Sequence, residues 1–498
     1  MRLAWIALCC TALLGASAFA PPARADDRLP ASVTAALAEA GIPPEAVRAA
    51  AVPLEGWWKR PWRVRADMPS SPGSAMKLVT SIVALDRLGP NHRGFTELRT
   101  AAAVNGGVLE GDLVLVGGAD PDLSVAHFWA LLQELRATGV HTIGGDVLVD
   151  RTRFRPARLD VGLPPFDEAP EFGYNVIPDA LNLAGSLLAF DLVATADGAR
   201  AAAVPPLPGV EFVSRMAASQ RRCNDWDDDW LPATVERDNA NGAAPLRITL
   251  NGRFPAGCRV RAELQLIDRQ VLTEELFRHL WQSLGGRWAG RAREAAAPAG
   301  TRPLARRNSR TWGEVLRPLN KSSDNALSRL LFLELGVKEA GADATTPTLE
   351  LAARSVRAWL AENGIDATGV VLDNGSGLSR TERIAPEQLA RMLAVAWRGR
   401  HAADLVMSLP VPGVDGTMRN RLRNSPAAGW ARLKTGTLRD AVALAGYVRD
   451  PDGRPWAVAV MLNHALANQR GRPVLDALID HFVRYGPFGS PPLLGESP

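Results

Sequence analysis

The spacing of apolar residues changes twice along this chain, and these changes constrain its fold more than any other feature of the sequence. Residues 73–88 place apolar side chains at the 3.6-residue period of a helix, which Gly89-Pro90 would end. From Leu98 to Ile267, short alternating runs between turns indicate strands. Helical spacing returns from Thr311 onward. The sequence therefore predicts one α+β domain, an antiparallel sheet with helices, interrupted by a β-rich insertion.

The same changes give the expected domain borders. Residues 194–245, with Ala-, Pro- and Asp-rich pieces, indicate a further unit inside the insertion. The tail after Gly486 is rich in Gly and Pro and is predicted to be disordered. The predicted units are a signal peptide at 1–25, the α+β domain at 26–96 and 305–486, the β-rich insertion at 97–193 and 246–304, the smaller nested domain at 194–245 and the tail at 487–498.

Shorter patterns predict individual elements. Asp450-Pro451-Asp452-Gly453 is typical of a hairpin turn between two strands. Residues 287–310 are rich in Ala, Arg and Pro and are predicted to be a linker that returns from the insertion. The remaining expectations are helices at 31–40, 128–138, 323–335, 348–363, 386–397 and 473–485, strands at 441–448 and 456–462, and a returning hairpin at 246–266.

Composition excludes several classes of protein. The 498 residues include 57 Lys and Arg against 53 Asp and Glu, a net charge of +4, and 47% of them are apolar. These proportions are typical of a folded chain, and the length predicts two or three domains. The arginines are scattered and no basic stripe is interleaved with aromatic residues, so nucleic-acid binding is not expected.

The N-terminal residues and the cysteines both indicate export. Met1-Arg2 precedes an apolar stretch and small residues up to Ala25, which predicts a cleaved signal peptide and a protein of the periplasm; the alternative is an uncleaved membrane anchor. Cys223 and Cys258 remain after cleavage and are expected to form a disulfide, the alternative being two buried free thiols. No Cys/His spacing suits zinc, so neither a metal nor a cofactor is expected.

Lysine is scarce in this chain. Only five of the 57 basic residues are lysine, so a generic cation here is nearly always an arginine. Arginine keeps its proton in a protein, whereas a desolvated lysine can lose it, and this marks the lysines as candidates for chemistry. Two of them, Lys77 and Lys434, fall within short motifs that carry reactive groups.

The first motif is Ser74-x-x-Lys77, which places a hydroxyl and an amine on one face of the predicted helix. A helix N-terminus disfavours a cation, and a second cation nearby would lower the pKa of Lys77 further. Lys77 can then act as the base that activates Ser74. Taken alone, such a pair is more often an ordinary exposed one.

Two further motifs follow. Ser323-Asp324-Asn325 opens a predicted helix and can direct its first and third residues into a cleft, although Ser and Asp also cap helices routinely. Lys434-Thr435-Gly436-Thr437 offers a charge for a carboxylate, and its glycine lets a substrate backbone approach an edge strand, although a turn is the structural alternative. All three motifs in this order are hard to obtain by accident.

This motif set resembles that of penicillin-binding proteins and β-lactamases. The long interval from Ser74 to Ser323, followed by a shorter one to Lys434, is similar to that of class C low-molecular-mass penicillin-binding proteins related to penicillin-binding protein 4. These are D-alanyl-D-alanine carboxypeptidases and endopeptidases. Further stretches match at 117–121, 145–150, 374–380 and 409–417, so the resemblance covers nearly the whole exported chain.

The resemblance implies a serine transpeptidase-like domain, with two smaller domains nested in its first interval, that acts on peptidoglycan stem peptides and is inhibited by β-lactams. Ser74 would attack the D-Ala-D-Ala carbonyl with Lys77 as base, and Ser323, Asn325 and Lys434 would hold the proton network and the substrate. Thr435, Gly436 and Thr437 would lie along the substrate, with the N–H groups of Ser74 and Thr437 as the oxyanion hole. Water would then release the acyl-enzyme.

The resemblance also implies a pocket for the free end of the stem peptide's diamino acid, lined by Asp150, Phe154 and Arg380. The structural alternative is that Asp150 simply ends a strand. Three places depart from the family pattern. Gly73 stands where an alanine usually precedes the nucleophile, and Arg439 stands where relatives often have a glutamine. Asp373-Asn374-Gly375-Ser376-Gly377 stands where the family usually shows Asp-Gly-Ser-Gly-Leu-Ser.

Two other functions remain as alternatives. A catalytically silent peptidoglycan-binding or scaffold protein would share the motifs without the reaction. A β-lactamase would need a fast deacylating base, yet no Glu-x-x-x-Asn lies between Asn325 and Lys434.

Overall fold

A computed structural model describes residues 27–55, 60–237 and 245–489 of the chain. The predicted signal peptide at 1–25 and the end of the predicted disordered tail, 490–498, lie outside the described residues. The α-helices are α1 (Ala31–Ala40), α2 (Met76–Arg87), α3 (Val125–Ala137), α4 (Arg269–Ser283), α5 (Trp312–Lys321), α6 (Asn325–Ala340), α7 (Thr348–Glu362), α8 (Pro386–Arg398), α9 (Ala402–Ser408) and α10 (Ala467–Tyr485).

The strands form five sheets within the described residues. They are β1 (Val47–Pro53), β2 (Trp62–Val64), β3 (Phe95–Thr100), β4 (Val104–Asn105), β5 (Val108–Leu109), β6 (Leu113–Gly118), β7 (Thr142–Ile143), β8 (Val147–Asp150), β9 (Leu188–Ala194), β10 (Ala199–Ala203), β11 (Val210–Ser214), β12 (Ala217–Ser219), β13 (Trp230–Arg237), β14 (Leu246–Pro255), β15 (Arg259–Leu264), β16 (Arg287–Trp288), β17 (Ala292–Glu294), β18 (Arg302–Asn308), β19 (Arg432–Leu438), β20 (Ala441–Arg449) and β21 (Pro455–Asn463).

The α+β domain is built on an antiparallel sheet of order β19-β20-β21-β1-β2, to which both ends of the chain contribute. Side chains alternate between its faces. In β20, Val442 and Leu444 pack toward α1 and α10, whereas Ala443 and Ala445 face the core formed with α2 and α8. The small residues on that side let α2, which follows the turn that carries Ser74, pack close to the sheet. The α+β class and the β20–β21 hairpin predicted from the sequence are confirmed.

The insertion has a separate core, which contains α3, α4 and the remaining sheets. Two of these sheets have the orders β17-β8-β6-β3-β18 and β16-β7-β5-β4. The other two are β10-β9-β15 and β11-β14-β12, with β13 paired to β14. Strands on either side of residues 194–245 thus join the same sheets, which supports a nested arrangement; the predicted borders themselves stay a prediction.

Three local predictions are wrong. Residues 246–266 do not form a hairpin, because β14 uses both edges for β11, β12 and β13, while β15 pairs with β9 in another sheet. Residues 287–310 are not merely a linker, because β18 pairs with β3 as an edge strand, where Arg and Pro are tolerated. Helix α10 begins at Ala467 rather than Pro473, because Ala467 and Gly471 are packed against the sheet. Helix α4 is not among the sequence predictions.

Cys223 and Cys258 form a disulfide, with Cα atoms 5.6 Å apart. It ties the segment before β13 to the turn between β14 and β15. In the described part of the chain, no helix combines the length and apolar character that crossing a bilayer requires.

The insertion is fixed to the helical domain by a buried ion pair. Arg153 donates two hydrogen bonds of 2.7 Å to the carboxylate of Glu334 in α6, and His92 Nε2 lies 2.8 Å from the same carboxylate. Burial alone would raise the pKa of Glu334, but Arg153 and His92 hold it below its ordinary value. Thr348 of α7 and Arg155 also exchange hydrogen bonds across this junction.

We expect Glu334→Gln to lower the free energy of unfolding by about 3 kcal/mol, because it leaves the Arg153 guanidinium without its counter-charge at a buried site. The matched control is Glu362→Gln, which breaks an exposed pair with Arg87 and should cost less than about 1 kcal/mol. Urea unfolding of both variants in one buffer measures the difference. Equal costs would contradict the structural role of the buried pair.

Candidate active site

Ser74 and Lys77 lie where the chain passes from a short 3-10 turn, Gly73–Ala75, into helix α2. The Nζ atom of Lys77 is 3.0 Å from Ser74 Oγ, 2.6 Å from Asn325 Oδ1 and 2.6 Å from the carbonyl oxygen of Ser376. A neutral amine has two N–H donors and one lone pair. When Asn325 and Ser376 accept the two N–H groups, the lone pair is left to accept the Ser74 hydroxyl. The geometry fits a nucleophile beside its base.

Burial makes Lys77 suitable for this role. The side chain is fully buried, and the loss of hydration lowers its pKa from the ordinary value to about 7. The negative charges of Asp324 and Glu382 oppose the shift, and the positive charge of Arg329 adds to it. A substantial fraction of Lys77 is therefore neutral near neutral pH. The sequence suggested that the helix dipole and a second cation would lower the pKa of Lys77, but desolvation is the main cause of the shift.

Lys434, the lysine of the third motif, lies on β19 beside the same cleft. Its Nζ atom donates to Ser323 Oγ at 2.8 Å and to the carbonyl oxygen of Thr435 at 2.9 Å. Burial, and then the charge of Lys77, lower the pKa of Lys434 well below its usual range. An anionic ligand at this position would stabilise the charged form of Lys434.

The second motif opens helix α6 and serves both structure and site. Asp324 is the N-cap, and its Oδ1 accepts a hydrogen bond from the backbone N–H of Leu327. Ser323, just before the cap, has a left-handed backbone with φ of 62°. Asn325 accepts from Lys77 through Oδ1 and donates through Nδ2 to the carbonyl oxygen of Tyr174, 2.9 Å away. The capping alternative is thus true of Asp324, while Ser323 and Asn325 reach the two buried lysines.

The loop at 374–380 also belongs to the site, although the sequence marked it only as a stretch that matches the family. The carbonyl of Ser376 touches Lys77, and the carbonyl of Gly375 accepts from Thr80 Oγ1 and Ser328 Oγ. Glu382, which the sequence analysis missed, is buried and accepts the backbone N–H groups of residues 373, 374, 375 and 377. Burial raises the pKa of Glu382 from its ordinary value. Glu382 holds the loop that positions the Ser376 carbonyl. In the sequence, the only signal for this role is that a glutamate follows shortly after the Gly-Ser-Gly stretch.

Glycines let β19 approach the nucleophile turn closely. Gly73 has a φ of +48°, and a Cβ there would stand 2.8 Å from the backbone nitrogen of Thr437. A Cβ on Gly436 would stand 2.0 Å from the carbonyl oxygen of Pro72. The departure at Gly73 is therefore accommodated by this backbone, and the Thr437 amide lies against the turn that carries Ser74.

The 409–417 stretch supports β19 from the side. Thr417 Oγ1 accepts a 2.8 Å hydrogen bond from Thr435 Oγ1. Lys321 at the end of α5 donates to Asp415 at 2.5 Å and to the carbonyl oxygen of Leu409 at 3.0 Å. A third lysine of the five thus has a structural partner in the same loop.

The three residues expected to line a diamino-acid pocket have different surroundings in the structure. Phe154 is 1% exposed and packs in the core, so it does not face solvent. Asp150 ends β8, and its oxygens accept from Thr152 and from the backbone N–H of Ala297, as the structural alternative predicted. Arg380 instead lies over the ring of Phe166, 5.0 Å from its centroid. A role for Asp150, Phe154 or Arg380 in binding stays a prediction.

Arg439, another departure from the family pattern, lies in the turn after β19. It meets Glu168 at 3.5 Å, and both side chains are largely exposed. Glu168 and Phe166 belong to one segment of the insertion, so Arg380 and Arg439 both contact this segment.

A buried lysine hydrogen bonded to a serine, with a second serine and lysine beside it in an α+β fold, is an arrangement typical of serine hydrolases, and it marks Ser74 as the candidate nucleophile and Lys77 as the candidate base. No three His, Cys, Asp or Glu side chains of the described ranges are grouped so as to hold a metal ion. The D-Ala-D-Ala carboxypeptidase 3 (S13) family matches residues 49–482, and the chain belongs to this family.

Individual relatives agree with this assignment. The chain is 30% identical over 444 residues to the D-alanyl-D-alanine carboxypeptidase of an Actinomadura species, covering 84% of this chain and 78% of that one. Its fold is similar to the crystal structure of penicillin binding protein 4 from Haemophilus influenzae, with a TM-score of 0.73, 21% identity and coverage of 90% of this chain and 98% of that one. The same protein complexed with a β-lactam gives a TM-score of 0.71 at 20% identity, covering 91% of this chain and 100% of that one. The predicted transpeptidase-like fold with a nested insertion is confirmed.

We expect the rate of Ser74 acylation to rise with pH through about 7, because Lys77 must be neutral to accept the hydroxyl proton and its pKa lies there. Asp324→Asn keeps the helix cap but removes a negative charge that raises the pKa of Lys77. The midpoint of the pH profile should therefore move to lower pH. Stopped-flow acylation by a chromogenic penicillin measures the profile.

The matched control is Asp366→Asn, since Asp366 also accepts a backbone N–H, two residues further along the chain, but does not act on Lys77. Its profile should coincide with that of the wild type. An upward shift for Asp324→Asn, or an equal shift for both variants, would contradict the assignment of Lys77 as the base.

Proposed function

We propose that this D-Ala-D-Ala carboxypeptidase-family hydrolase removes the terminal D-alanine of peptidoglycan stem peptides through an acyl-enzyme on Ser74. The observation that carries the proposal is the contact of Ser74 Oγ with the buried Lys77 amine, whose other two hydrogen bonds go to Asn325 and Ser376. This geometry supports a reactive site rather than the silent scaffold that was the alternative. The family membership supports the substrate class.

In the first step, Lys77 accepts the Ser74 proton as Oγ attacks the carbonyl between the two D-alanines. The backbone N–H groups of Ser74 and Thr437 would donate to the developing oxyanion, and the close approach of β19 to the Gly73–Ala75 turn supports this pairing. The departing D-alanine needs a proton on its nitrogen. Ser323 Oγ, hydrogen bonded to Lys434, offers a route for it from the lysine pair.

Lys434 also fits the terminal carboxylate of the substrate. It is buried and its pKa is low before substrate binds, so an arriving carboxylate would favour its protonated form. Thr435 and Gly436 lie beside it on β19, where an extended peptide could add as a strand. Water then attacks the acyl-enzyme, with Lys77 again as the base, and Ser74 is restored.

The same nucleophile should carry out two related reactions. β-Lactams, which present a strained amide to the same nucleophile, should acylate Ser74, and cross-linked peptides that reach the cleft should be cleaved in an endopeptidase reaction.

The predicted signal peptide and the disulfide between Cys223 and Cys258 support a location in the periplasm, where peptidoglycan lies.

We expect Ser74→Ala to be folded, to form no covalent adduct with a fluorescent penicillin and to release no D-alanine from a stem pentapeptide. Gel fluorescence and a D-alanine assay measure the two losses. Ser71→Ala is the matched control, since this serine is also buried close to the turn but has no contact with Lys77 among the described groups. Labelling that persists in Ser74→Ala would identify another nucleophile.

The two buried lysines should respond differently to substitution by arginine. Lys77→Arg should lose acylation by at least about 1,000-fold, because arginine keeps its proton and cannot serve as the base. Lys434→Arg keeps a cation for the carboxylate and should retain part of the activity. Acylation rates at saturating penicillin measure both. Equal losses would mean that Lys77 acts as a charge rather than as a base.

A further inference from the structure

A cavity of about 1120 Å³ adjoins the catalytic cleft and takes no part in the mechanism above. Its walls come from the start of α3, from residues 182–189 of the insertion and from the first turn of α6. This volume is slightly above the ~300–1,000 Å³ typical of sites that bind small molecules. The cavity is therefore large enough for a ligand of more than one ring.

The cavity lies one helical turn from the catalytic groups. Asp324 and Leu327 line it, and between them Asn325 contacts Lys77. Gly173 and Val176 also line it, and between them the carbonyl of Tyr174 accepts from Asn325. The Gly173–Val176 segment thus separates the cavity from the cleft. An extended five-residue stem peptide spans about 17 Å, so a peptide in the cleft can carry its other end to the cavity.

An unpartnered polar group marks the cavity as a binding site. Asn182 is 5% exposed and lines the cavity, and among the described residues no donor pairs with its Oδ1 atom. Buried amide oxygens without partners are uncommon and costly. The adjacent residues Ala184, Gly185 and Ser186 all have left-handed φ angles, between 52° and 62°, which is strained backbone for the two that carry a Cβ. A ligand N–H or O–H would complete the hydrogen bonding of Asn182.

The remaining walls favour a neutral, amphipathic ligand. Most lining side chains are apolar, and Trp129 stands 39% exposed where the flat face of a sugar ring could stack. The lining arginines are already paired, Arg310 with Asp122 and Arg261 with Asp191, so an anionic ligand would gain little from them. Hydroxyl and amide N–H donors, apolar ring faces and acetyl methyl groups match these walls together.

We infer that this cavity binds the N-acetylated amino sugars of the glycan strand to which the stem peptide is attached. The inference rests on the proposed function for the choice of ligand, but the cavity and its unpartnered amide do not depend on that function. The site would make the enzyme prefer sugar-bearing substrates over free peptides.

The first test compares two substrates, a stem pentapeptide and the same peptide on its N-acetylglucosamine–N-acetylmuramic acid disaccharide. We expect the wild type to have a KM at least about tenfold lower for the disaccharide peptide. Ala126→Phe, which fills the cavity from an exposed position of α3, should reduce this advantage to less than about twofold. Its KM for the free peptide and its penicillin acylation should stay unchanged. Ala137→Phe, at the other end of α3 and outside the cavity, is the matched control and should behave as wild type.

Asn182→Leu separates binding from folding. It replaces the unpartnered amide by an apolar side chain of similar shape, so stability should be equal or higher while the advantage of the disaccharide peptide falls. Trp129→Ala should also reduce that advantage, whereas Trp430→Ala, an exposed tryptophan outside the cavity, should not. A wild type with equal KM values for the two substrates, or variants that change both KM values in parallel, would overturn the inference.

A second measurement keeps the inference separate from the proposed function. Calorimetric titration of the penicillin-treated protein with the disaccharide alone should show binding that Ala126→Phe abolishes and Ala137→Phe retains. If the protein hydrolyses neither peptide and takes no penicillin, the proposed function fails, yet this titration still decides the site. Absence of disaccharide binding to the wild type would overturn the sugar site even if the carboxypeptidase reaction is present.

Discussion

The buried amine of Lys77 is the interaction on which the rest of the site depends. Its three hydrogen-bond partners, Ser74, Asn325 and Ser376, are all uncharged, and burial lowers its pKa to about 7 although the charges of Asp324 and Glu382 oppose the shift. On an exposed surface, hydration would keep the lysine amine protonated near neutral pH. The turn before α2 brings Ser74 to the amine, helix α6 brings Asn325, and the loop held by Glu382 brings the Ser376 carbonyl.

The insertion contributes to the site as well as to the size of the protein. Its segment at Gly173–Val176 accepts a hydrogen bond from Asn325 through Tyr174, and it receives two more from the buried Arg329 at the carbonyls of Asn175 and Val176. The Arg153–Glu334 pair fixes the same unit against α6. The helix that carries Asn325 is thus braced from the insertion side, which places the cavity beside the cleft in a defined geometry.

Local sequence patterns predicted most helices and the β20–β21 hairpin, because their periodicity and turn residues act over a few positions. They failed where distant segments compete for a strand edge. Nothing within residues 246–266 shows that β14 is flanked by β11 and β13, so a hairpin with β15 was the natural expectation. The Ala/Arg/Pro composition of 302–308 likewise suits either a linker or an edge strand, and only pairing with β3 decides between them.

The order Ser-x-x-Lys, Ser-x-Asn, Lys-Thr-Gly and the scarcity of lysine determined by themselves which groups could react, because these are matters of residue type and spacing. The tertiary structure decided their state. Asn325 and Ser376 lie 248 and 299 residues from Lys77 in sequence, and the pKa of Lys77 depends on their contacts and on the exclusion of water around it. The buried position of Glu382, the contact of Arg380 with Phe166 and the unpartnered Oδ1 atom of Asn182 were decided in the same way. Burial and hydrogen-bond pairing are properties of the packed chain, and no local stretch of sequence specifies them.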